Sequence, residues 1–414
     1  MAVSIVSAQT RGGVLSATQL RAQIDTALAT GNTTGAAGSF RTLVTRFPSA
    51  LNGLPQEEIE RLLRALPAGP DGQPRRAALE ALFAQRWKVP YEPEPSGFWL
   101  ELTQMRLGAG DLAGARATAA RITHPAQLIQ LYCDQRFDAI SRRQSMREEV
   151  QRDAKLEVAQ YREAMKHQPR SLATVVSLMR ALIIEGNHLE AIALAQTVNA
   201  RVNEAAQKQA ISLYDDEGEL RWVLNELARA LWNSGAFEEG AQVMEAARRL
   251  PEYGRPNVSQ RLNLAHMYTK LGQSRKALSV VAGIDSDPNA LSPYGMIVLQ
   301  GVYLRAALQA GDRAALMSVL DYLRQHEADA PAGIVGDFVE AGATGEADAL
   351  MRSTLADPKQ RGTLLADLQL YKDRVRTPLE KHYHEQWETW AKRPEVQSEI
   401  ARWGHFDTYP IAQP

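Results

Sequence analysis

The apolar positions of the chain recur with helical spacing, in pairs of segments joined by a glycine. Around Gly186, Leu178 and Leu182 come before the glycine, and Ala191 and Ala195 come after it. Residues three or four apart lie on one side of an α-helix, so each segment has one apolar face. A glycine suits the junction because the position after a helix often needs a left-handed backbone. The pattern therefore predicts two amphipathic helices that meet at Gly186.

The same frame recurs along the chain. The predicted turn glycines are Gly31, Gly110, Gly186, Gly235, Gly272 and Gly311, separated by 79, 76, 49, 37 and 39 residues. A small residue stands five positions after most of them, namely Ala36, Ala115, Ala191, Gly240 and Ala277. Such a residue lets the second helix lie close to the first. Prolines that follow the second helices are Pro48, Pro169, Pro251, Pro288 and Pro358. Proline cannot continue a helix, so each predicts a helix end.

The two widest gaps between turn glycines hold further amphipathic segments. The predicted helices there are Gln56–Leu66, Arg75–Trp87, Ala126–Arg143 and Met146–His167. Residues 67–72 are rich in Pro and Gly and predict a turn. The run from Lys88 to Ser96 contains three prolines, which predicts an extended linker or a loop that crosses the array.

After Pro358 the apolar frame stops, and the sequence becomes charged and aromatic. We predict one helix over Leu364–Lys392, then a shorter helix and a coil. The end of a repeat array exposes an apolar face, so we interpret this region as a cap. A docking tail for a partner is the alternative.

The paired helices, glycine turns, small residues and late prolines resemble the tetratricopeptide repeat family over most of residues 14–360. The resemblance implies an all-α fold, an α-α superhelix of eight or nine helix pairs with a C-terminal helical cap. We divide the chain into a signal remnant or disordered N-terminus (1–13), N-terminal repeats (14–87), a proline-rich linker (88–96), tetratricopeptide-like repeats (97–360) and a cap with a tail (361–414).

Charge and composition exclude some classes of function. The chain has 47 basic and 48 acidic side chains, so no global field attracts nucleic acid or an anionic membrane. No stretch reaches the roughly 20 apolar residues of a membrane span. Cys133 is the only cysteine, which excludes an intrachain disulfide. Residues 2–9 resemble the end of a secretory signal, which predicts a periplasmic or secreted protein. The alternative is a cytoplasmic protein.

In tetratricopeptide-like arrays the first helix of each pair lines a concave groove, so the resemblance implies a binding surface there. Six positions before four successive turn glycines stand Arg180, Arg229, His266 and Arg305. Asn225 and Lys270 lie one helical turn away, and Trp232 is a candidate hydrophobic anchor. We call these residues the ladder. We expect the ladder to bind a protein or peptide partner through the partner's carboxylates. The alternative is that each Arg pairs with a neighbouring Glu and only supports the array.

No catalytic motif appears in the sequence, so we expect no enzyme, no cofactor and no metal. The function predicted is a scaffold that binds a protein or peptide in its groove, during assembly or export at a bacterial envelope. The alternative is a component of an enzyme system with a site built from His382, His384 and His405. The pair His384 and Glu385 lacks the second histidine of a zinc-binding helix. RNA binding by the basic ladder is a third possibility, and the near-neutral charge argues against it.

Overall fold

A computed structural model describes residues 15–51, 56–66, 73–208, 213–284 and 290–414. By their internal contacts the residues form two compact units, the first ending at Ile122 and the second beginning at Thr123. The predicted signal remnant at 1–13, the turn at 67–72 and Pro288 lie outside the described residues.

The described secondary structure of the first unit consists of helices. Its helices are α1 (Ala17–Ala29), α2 (Thr33–Arg46), α3 (Gln56–Ala65), α4 (Gln73–Ala84), α5 (Ser96–Gly108) and α6 (Leu112–Ala119). A 3₁₀ turn at Pro48–Leu51 follows α2. Helix α2 packs against both α1 and α4, and α5 packs against α6. Phe40 and Trp99 are among its fully buried side chains.

The second unit continues the same arrangement. Its first helices are α7 (Pro125–Cys133), α8 (Met146–His167), α9 (Leu172–Glu185), α10 (His188–Gln207), α11 (Leu220–Asn233), α12 (Phe237–Ala247), α13 (Ser259–Lys270) and α14 (Ser274–Val281). They are followed by α15 (Pro293–Ala310), α16 (Arg313–Gln325), α17 (Pro331–Glu340), α18 (Thr344–Ala356), α19 (Arg361–Asp367), α20 (Pro378–Ala391) and α21 (Pro394–Trp403). Two short strands, β1 (Leu370–Tyr371) and β2 (Thr408–Tyr409), pair in parallel.

The helices follow one another in pairs, and in the second unit the pairs stack. Each odd-numbered helix from α9 to α17 packs against the even-numbered helix after it. Helix α9 also contacts α11, α13 contacts α15, and α15 contacts α17. The described helices α1 to α18 make nine sequential pairs, and α19 to α21 follow them. The predicted all-α fold of eight or nine helix pairs with a C-terminal helical cap is therefore confirmed.

The predicted turn glycines have the backbone that the pattern required. All six have φ between 65° and 94°, in the left-handed region that favours glycine. A seventh, Gly342, has φ of 74° and joins α17 to α18. Five positions later Ala347 is fully buried. The turn glycines predicted from the sequence did not include this one.

Gly240 shows why the fifth position after a turn glycine is small. A Cβ atom on Gly240 would lie 2.9 Å from the carbonyl oxygen of Ala228, on the facing helix α11. A Cβ carbon essentially never lies this close to a backbone oxygen, so with a larger residue at 240 α11 and α12 could not approach as closely. The equivalent residues Ala36, Ala115, Ala191 and Ala277 are all buried.

The helix predicted over Ala126–Arg143 is too long. Helix α7 ends at Cys133, and 3₁₀ turns follow at Gln135–Phe137 and Arg143–Ser145. The Asp134 carboxylate accepts a hydrogen bond from the backbone N–H of Arg136, which favours the tight turn. The backbone of Asp134 also forms an antiparallel bridge with Gly404, a tertiary contact that the local sequence does not contain.

The single helix predicted over Leu364–Lys392 is also wrong. Helix α19 ends at Asp367, β1 follows, and residues 372–377 are non-helical before α20 begins at Pro378. Thr377 and Glu380 form a capping box at the start of α20. A proline at the first position of a helix with a capping box before it is a strong start signal, so the break was readable in the sequence.

The proline-rich run from Lys88 to Ser96 lies within the first unit and is not extended throughout. It turns at residues 90–92, where Tyr91 has φ of 68°. Glu94 accepts hydrogen bonds of 2.9 Å from the indole of Trp99 and from Nε of Arg121. These contacts hold the run against α5 and against the segment that follows α6.

Candidate functional site

The first helices of successive pairs in the second unit form one continuous surface, which we call the first-helix face. It is made by α9, α11, α13, α15 and α17. All seven residues predicted to bind a partner belong to these helices, and polar contacts connect most of them from one helix to the next.

At one end of the face, two arginines share one buried carboxylate. Arg180 Nε on α9 lies 3.0 Å from Oε1 of Glu226, and Arg229 Nη1 lies 3.1 Å from Oε2. Glu226 is buried, whereas the side chains of Arg180 and Arg229 are 47% and 38% exposed. The arginines therefore support the array and also present their outer surfaces to solvent.

The connection continues across α13 to α17. Asn263 Nδ2 donates to Oδ1 of Asn225 at 2.8 Å, which joins α13 to α11. Arg305 Nη1 lies 3.5 Å from Nδ1 of His266 and joins α15 to α13. Arg305 also pairs with Asp337 at 3.2 Å and with Glu340 at 2.8 Å, both on α17. Only 12% of the Arg305 side chain is exposed. Arg305 thus has the supporting role that was the alternative prediction for the ladder.

The C-terminal chain binds along the ends of the first helices. We call residues 370–391 the arm and residues 404–414 the tail. The backbone N–H of His405 donates to the carbonyl of Cys133 on α7, and that of Ala412 donates to Ile184 on α9. The hydroxyl of Thr377 donates to the carbonyl of Lys270 on α13 at 2.7 Å. The last carbonyls of a helix have no partner within it, so the C-terminal chain satisfies three of these ends.

Glu380 anchors the arm. Both of its carboxylate oxygens lie 3.2 Å from the indole nitrogen of Trp232. Lys270 Nζ lies 3.3 Å away, and Arg374 Nη2 donates to the same carboxylate at 2.7 Å. Trp232 is 4% exposed and packs edge-on against Phe237. The predicted anchor for a partner therefore binds the protein's own arm.

Electrostatics follow from this burial. Burial alone would raise the pKa of Glu380, but the charge of Lys270 and the hydrogen bond and charge of Arg374 outweigh it and lower the pKa to about 2. Burial, together with the charges of Arg305 and Lys270, lowers the pKa of His266 to about 3. Hence Glu380 is ionised and His266 is neutral at pH 7. Neutral His266 can donate from Nε2 to the carbonyl of Val298, 3.1 Å away, and accept from Arg305 at Nδ1.

No protein-family model matches the sequence, and no curated protein does. Solved structures do match. A Rap protein complexed with competence and sporulation factor is 12% identical, with a TM-score of 0.35 over 90% of this chain and 100% of that one. Aspartyl phosphate phosphatase F from Bacillus subtilis is 11% identical, with a TM-score of 0.37 over 93% and 97%. Likenesses this weak assign no activity. The fold is assigned from the stacked helix pairs and the seven glycine turns. It is a tetratricopeptide-like helical repeat.

Part of the first-helix face of this repeat stays open beside the arm. Arg180 and Arg229 lie there, and the Arg180 guanidinium is 5.7 Å from the ring centroid of Trp222. Lys372 on the arm is exposed and has no carboxylate within ion-pair distance in the described part of the chain. Burial, and then the charges of Lys372 and Arg229, lower the pKa of His188. Those two cations therefore lie near His188, and the open part of the face is positive.

The C-terminal histidines are not brought together. His405 Nε2 lies 2.9 Å from Asp138, and His384 Nε2 lies 3.2 Å from Glu388. His382 packs beside Tyr383. Among the described residues no three metal-ligating side chains are grouped. In the same part of the chain, no helix is long and apolar enough to cross a bilayer.

The acidic partners on and beside the first-helix face were not predicted from the sequence, namely Glu226, Asp337, Glu340 and Glu380. Glu226 stands three residues before Arg229, so a search for acids one turn from each Arg would have found it. Asp337 and Glu340 are 32 and 35 residues from Arg305 and lie on α17, whose turn glycine Gly342 was not among the predicted ones. Glu380 carried only the capping-box signal. That signal places the start of α20 and does not place α20 on the face.

Proposed function

We propose that this repeat array is a non-enzymatic scaffold that binds an acidic protein segment on the open part of its first-helix face. The supporting observation is that cationic side chains in this part of the face outnumber the carboxylates that pair with them. Arg180, Arg229 and Lys372 converge there, and Glu226 is the carboxylate that Arg180 and Arg229 share. Guanidinium groups bind carboxylates in a planar, two-pronged geometry, and Trp222 adds an apolar surface next to them.

The arm supports the same proposal. Glu380 is a carboxylate on a polypeptide segment that contacts the first helices through a tryptophan and a lysine. A partner segment that carries Asp or Glu would use the same chemistry one or two helices away. The arm covers Trp232, and its Glu380 pairs with Lys270, so these two residues support the arm and we assign the partner contacts to Arg180, Arg229 and Lys372.

The test uses a phage-displayed library of 12-residue peptides selected on the full chain. We expect selected peptides to be rich in Asp and Glu and to bind at least about tenfold more weakly to Lys372→Glu. Lys372 is the right position because it is exposed, whereas Arg305 is buried against two carboxylates and its replacement would disturb α17.

The matched control is Lys155→Glu, an exposed lysine on α8. It makes the same change in net charge and should leave peptide binding unchanged. Thermal unfolding followed by circular dichroism verifies that both variants are folded. If the library yields no binder, or if Lys372→Glu and the control bind equally well, this face is not the binding site.

We also propose that the protein acts at the bacterial envelope, on the composition of residues 2–9. Fractionation of cells that express the full-length gene product tests it directly. Recovery in the periplasmic fraction would support it, and recovery with cytoplasmic markers would remove it.

A further inference from the structure

A cleft of about 560 Å³ lies between the end of α12, the start of α13 and the end of α14. Arg248, Arg249, Arg255 and Arg261 line it, together with the hydroxyl-bearing Ser279. No acidic side chain lines it among the residues that the structure describes. The cleft is formed by the turn that links two repeats, so it is separate from the open part of the first-helix face.

The charges of these arginines are poorly compensated. Arg248 forms a two-pronged pair with Glu245, and the contact from Arg249 to that carboxylate is 3.5 Å long. Arg249 is 71% exposed. Arg261 donates to the carbonyls of Val280 and Ala282 at 2.8 and 3.0 Å, and carbonyls carry no net charge.

Arg255 and Glu252 complete the charges of the turn. Arg255 is exposed and has no ion pair within the described ranges. Glu252 accepts from the backbone N–H groups of Val258 and Ser259 at 3.1 Å and from the Ser259 hydroxyl at 2.6 Å. Its carboxylate is therefore already occupied at the start of α13. Four guanidinium groups thus remain against the single pairing carboxylate of Glu245. Burial and the charge of Arg248 lower the pKa of Arg261, as expected for crowded cations.

The turn that carries Arg255 is closed by its own hydrogen bonds and tied to the end of α12. Glu252 and Arg255 exchange two backbone hydrogen bonds of 2.9 Å, with Tyr253 and Gly254 at φ of 49° and 76° between them. The buried amide of Asn257 donates to the carbonyls of Ala247 and Leu250 at 3.2 and 2.9 Å. A ligand would not have to order this turn, so less of the binding free energy is lost to conformational entropy.

We propose that this cleft, lined by Arg248, Arg249, Arg255 and Arg261, binds a small ligand through a diphosphate group. A guanidinium group can donate two parallel hydrogen bonds to two oxygens of one phosphate. A single phosphate engages one or two of them, whereas a diphosphate reaches more and carries more charge. The volume of the cleft also leaves room for a ligand larger than the diphosphate itself.

Isothermal titration calorimetry of the full chain with inorganic pyrophosphate tests the proposal, with orthophosphate and sulfate as comparisons. We expect saturable binding of pyrophosphate, at least about tenfold tighter than that of orthophosphate because the additional charge meets additional guanidinium groups. The double variant Arg249→Gln with Arg255→Gln removes two exposed arginines of the cleft and should weaken binding by at least about tenfold.

The control is Arg201→Gln with Arg313→Gln, two exposed arginines on α10 and α16 that make the same change in net charge. It should bind pyrophosphate as the unaltered chain does. The proposal is overturned if no saturable binding occurs, if the cleft variant and the control behave alike, or if sulfate binds as tightly as pyrophosphate. Tight binding of single-stranded RNA that the cleft variant abolishes, without binding of pyrophosphate, would assign the cleft to nucleic acid instead.

Discussion

The indole nitrogen of Trp232 lies 3.2 Å from both carboxylate oxygens of Glu380, although 148 residues separate the two in the chain. The contact fixes the start of α20 on the C-terminal ends of α11 and α13. Lys270 and Arg374 complete the surroundings of the carboxylate. The contact between Trp232 and Glu380 thus makes the C-terminal arm part of the repeat surface.

We predict that Glu380→Gln destabilises the protein by about 2 to 4 kcal/mol, because two cations then lose the carboxylate that compensates them in a mostly buried site. Urea unfolding measures the change, and hydrogen exchange should show faster exchange in residues 372–391. Glu385→Gln, an exposed position on the same helix α20, is the control and should stay within about 0.5 kcal/mol of the unaltered chain. Equal stability of the two variants would contradict the anchoring role of Glu380.

The pH dependence of stability should reveal Glu157. Glu157 is 5% exposed, and burial raises the pKa of its carboxyl to about 8. The unfolded chain releases this proton near its ordinary pKa, well below 8, while the folded chain retains it. Stability therefore falls as pH rises toward 8, and between pH 7 and pH 8 we expect a loss of about 1 kcal/mol from this group.

Glu157→Gln should abolish that part of the pH dependence, because glutamine has no proton to release. Neighbouring His124 does not interfere, since burial lowers its pKa to about 4 and it stays neutral above pH 7. Glu148→Gln, exposed on the same helix α8, should retain the slope of the unaltered chain. Urea unfolding at pH 7.0 and 8.0 gives both slopes, and a slope that Glu157→Gln leaves unchanged would show that Glu157 is ionised in the folded protein.

Gly404 joins the C-terminal tail to the first helix of the second unit. Helix α19 packs against α7, and the backbone of Gly404 bridges to Asp134 just after α7. A Cβ on Gly404 would lie 2.2 Å from the carbonyl oxygen of Cys133 and 2.7 Å from Leu365. We expect Gly404→Ala to cost about 1 to 3 kcal/mol by overpacking.

The control for this change is Gly345→Ala in α18, where an added Cβ meets no atom within 4 Å. It should be neutral or slightly stabilising, because alanine favours helix more than glycine does. Thermal unfolding compares the two variants, and hydrogen exchange at α7 and α19 shows whether the closure has loosened. A Gly404→Ala variant as stable as the control would mean that the contact between α7 and the tail is dispensable.

Much of the helical framework was predictable because its determinants are local. Met146–His167 is a helix with the bounds that its pattern predicted, and the turn glycines are left-handed. The prediction was wrong after Cys133 and after Asp367, where contacts with the tail or pairing of β1 with β2 compete with helix formation. The ladder residues lie on the first helices, as the frame predicted, but the acids and the arm that pair with Lys270 and Arg305 were not predicted.

The sequence by itself determined that the chain is helical, where most helices turn, and which residues share the first-helix face, because helical periodicity and glycine turns act over a few residues. The tertiary structure decided which of those residues stay accessible. Arg180 and Arg229 remain exposed, whereas Trp232 is buried against Glu380. That difference depends on where the C-terminal arm binds. The arm is held by the helix-end carbonyl of Lys270 and by the contact of Glu380 with Trp232, and in each contact the two residues are more than a hundred positions apart.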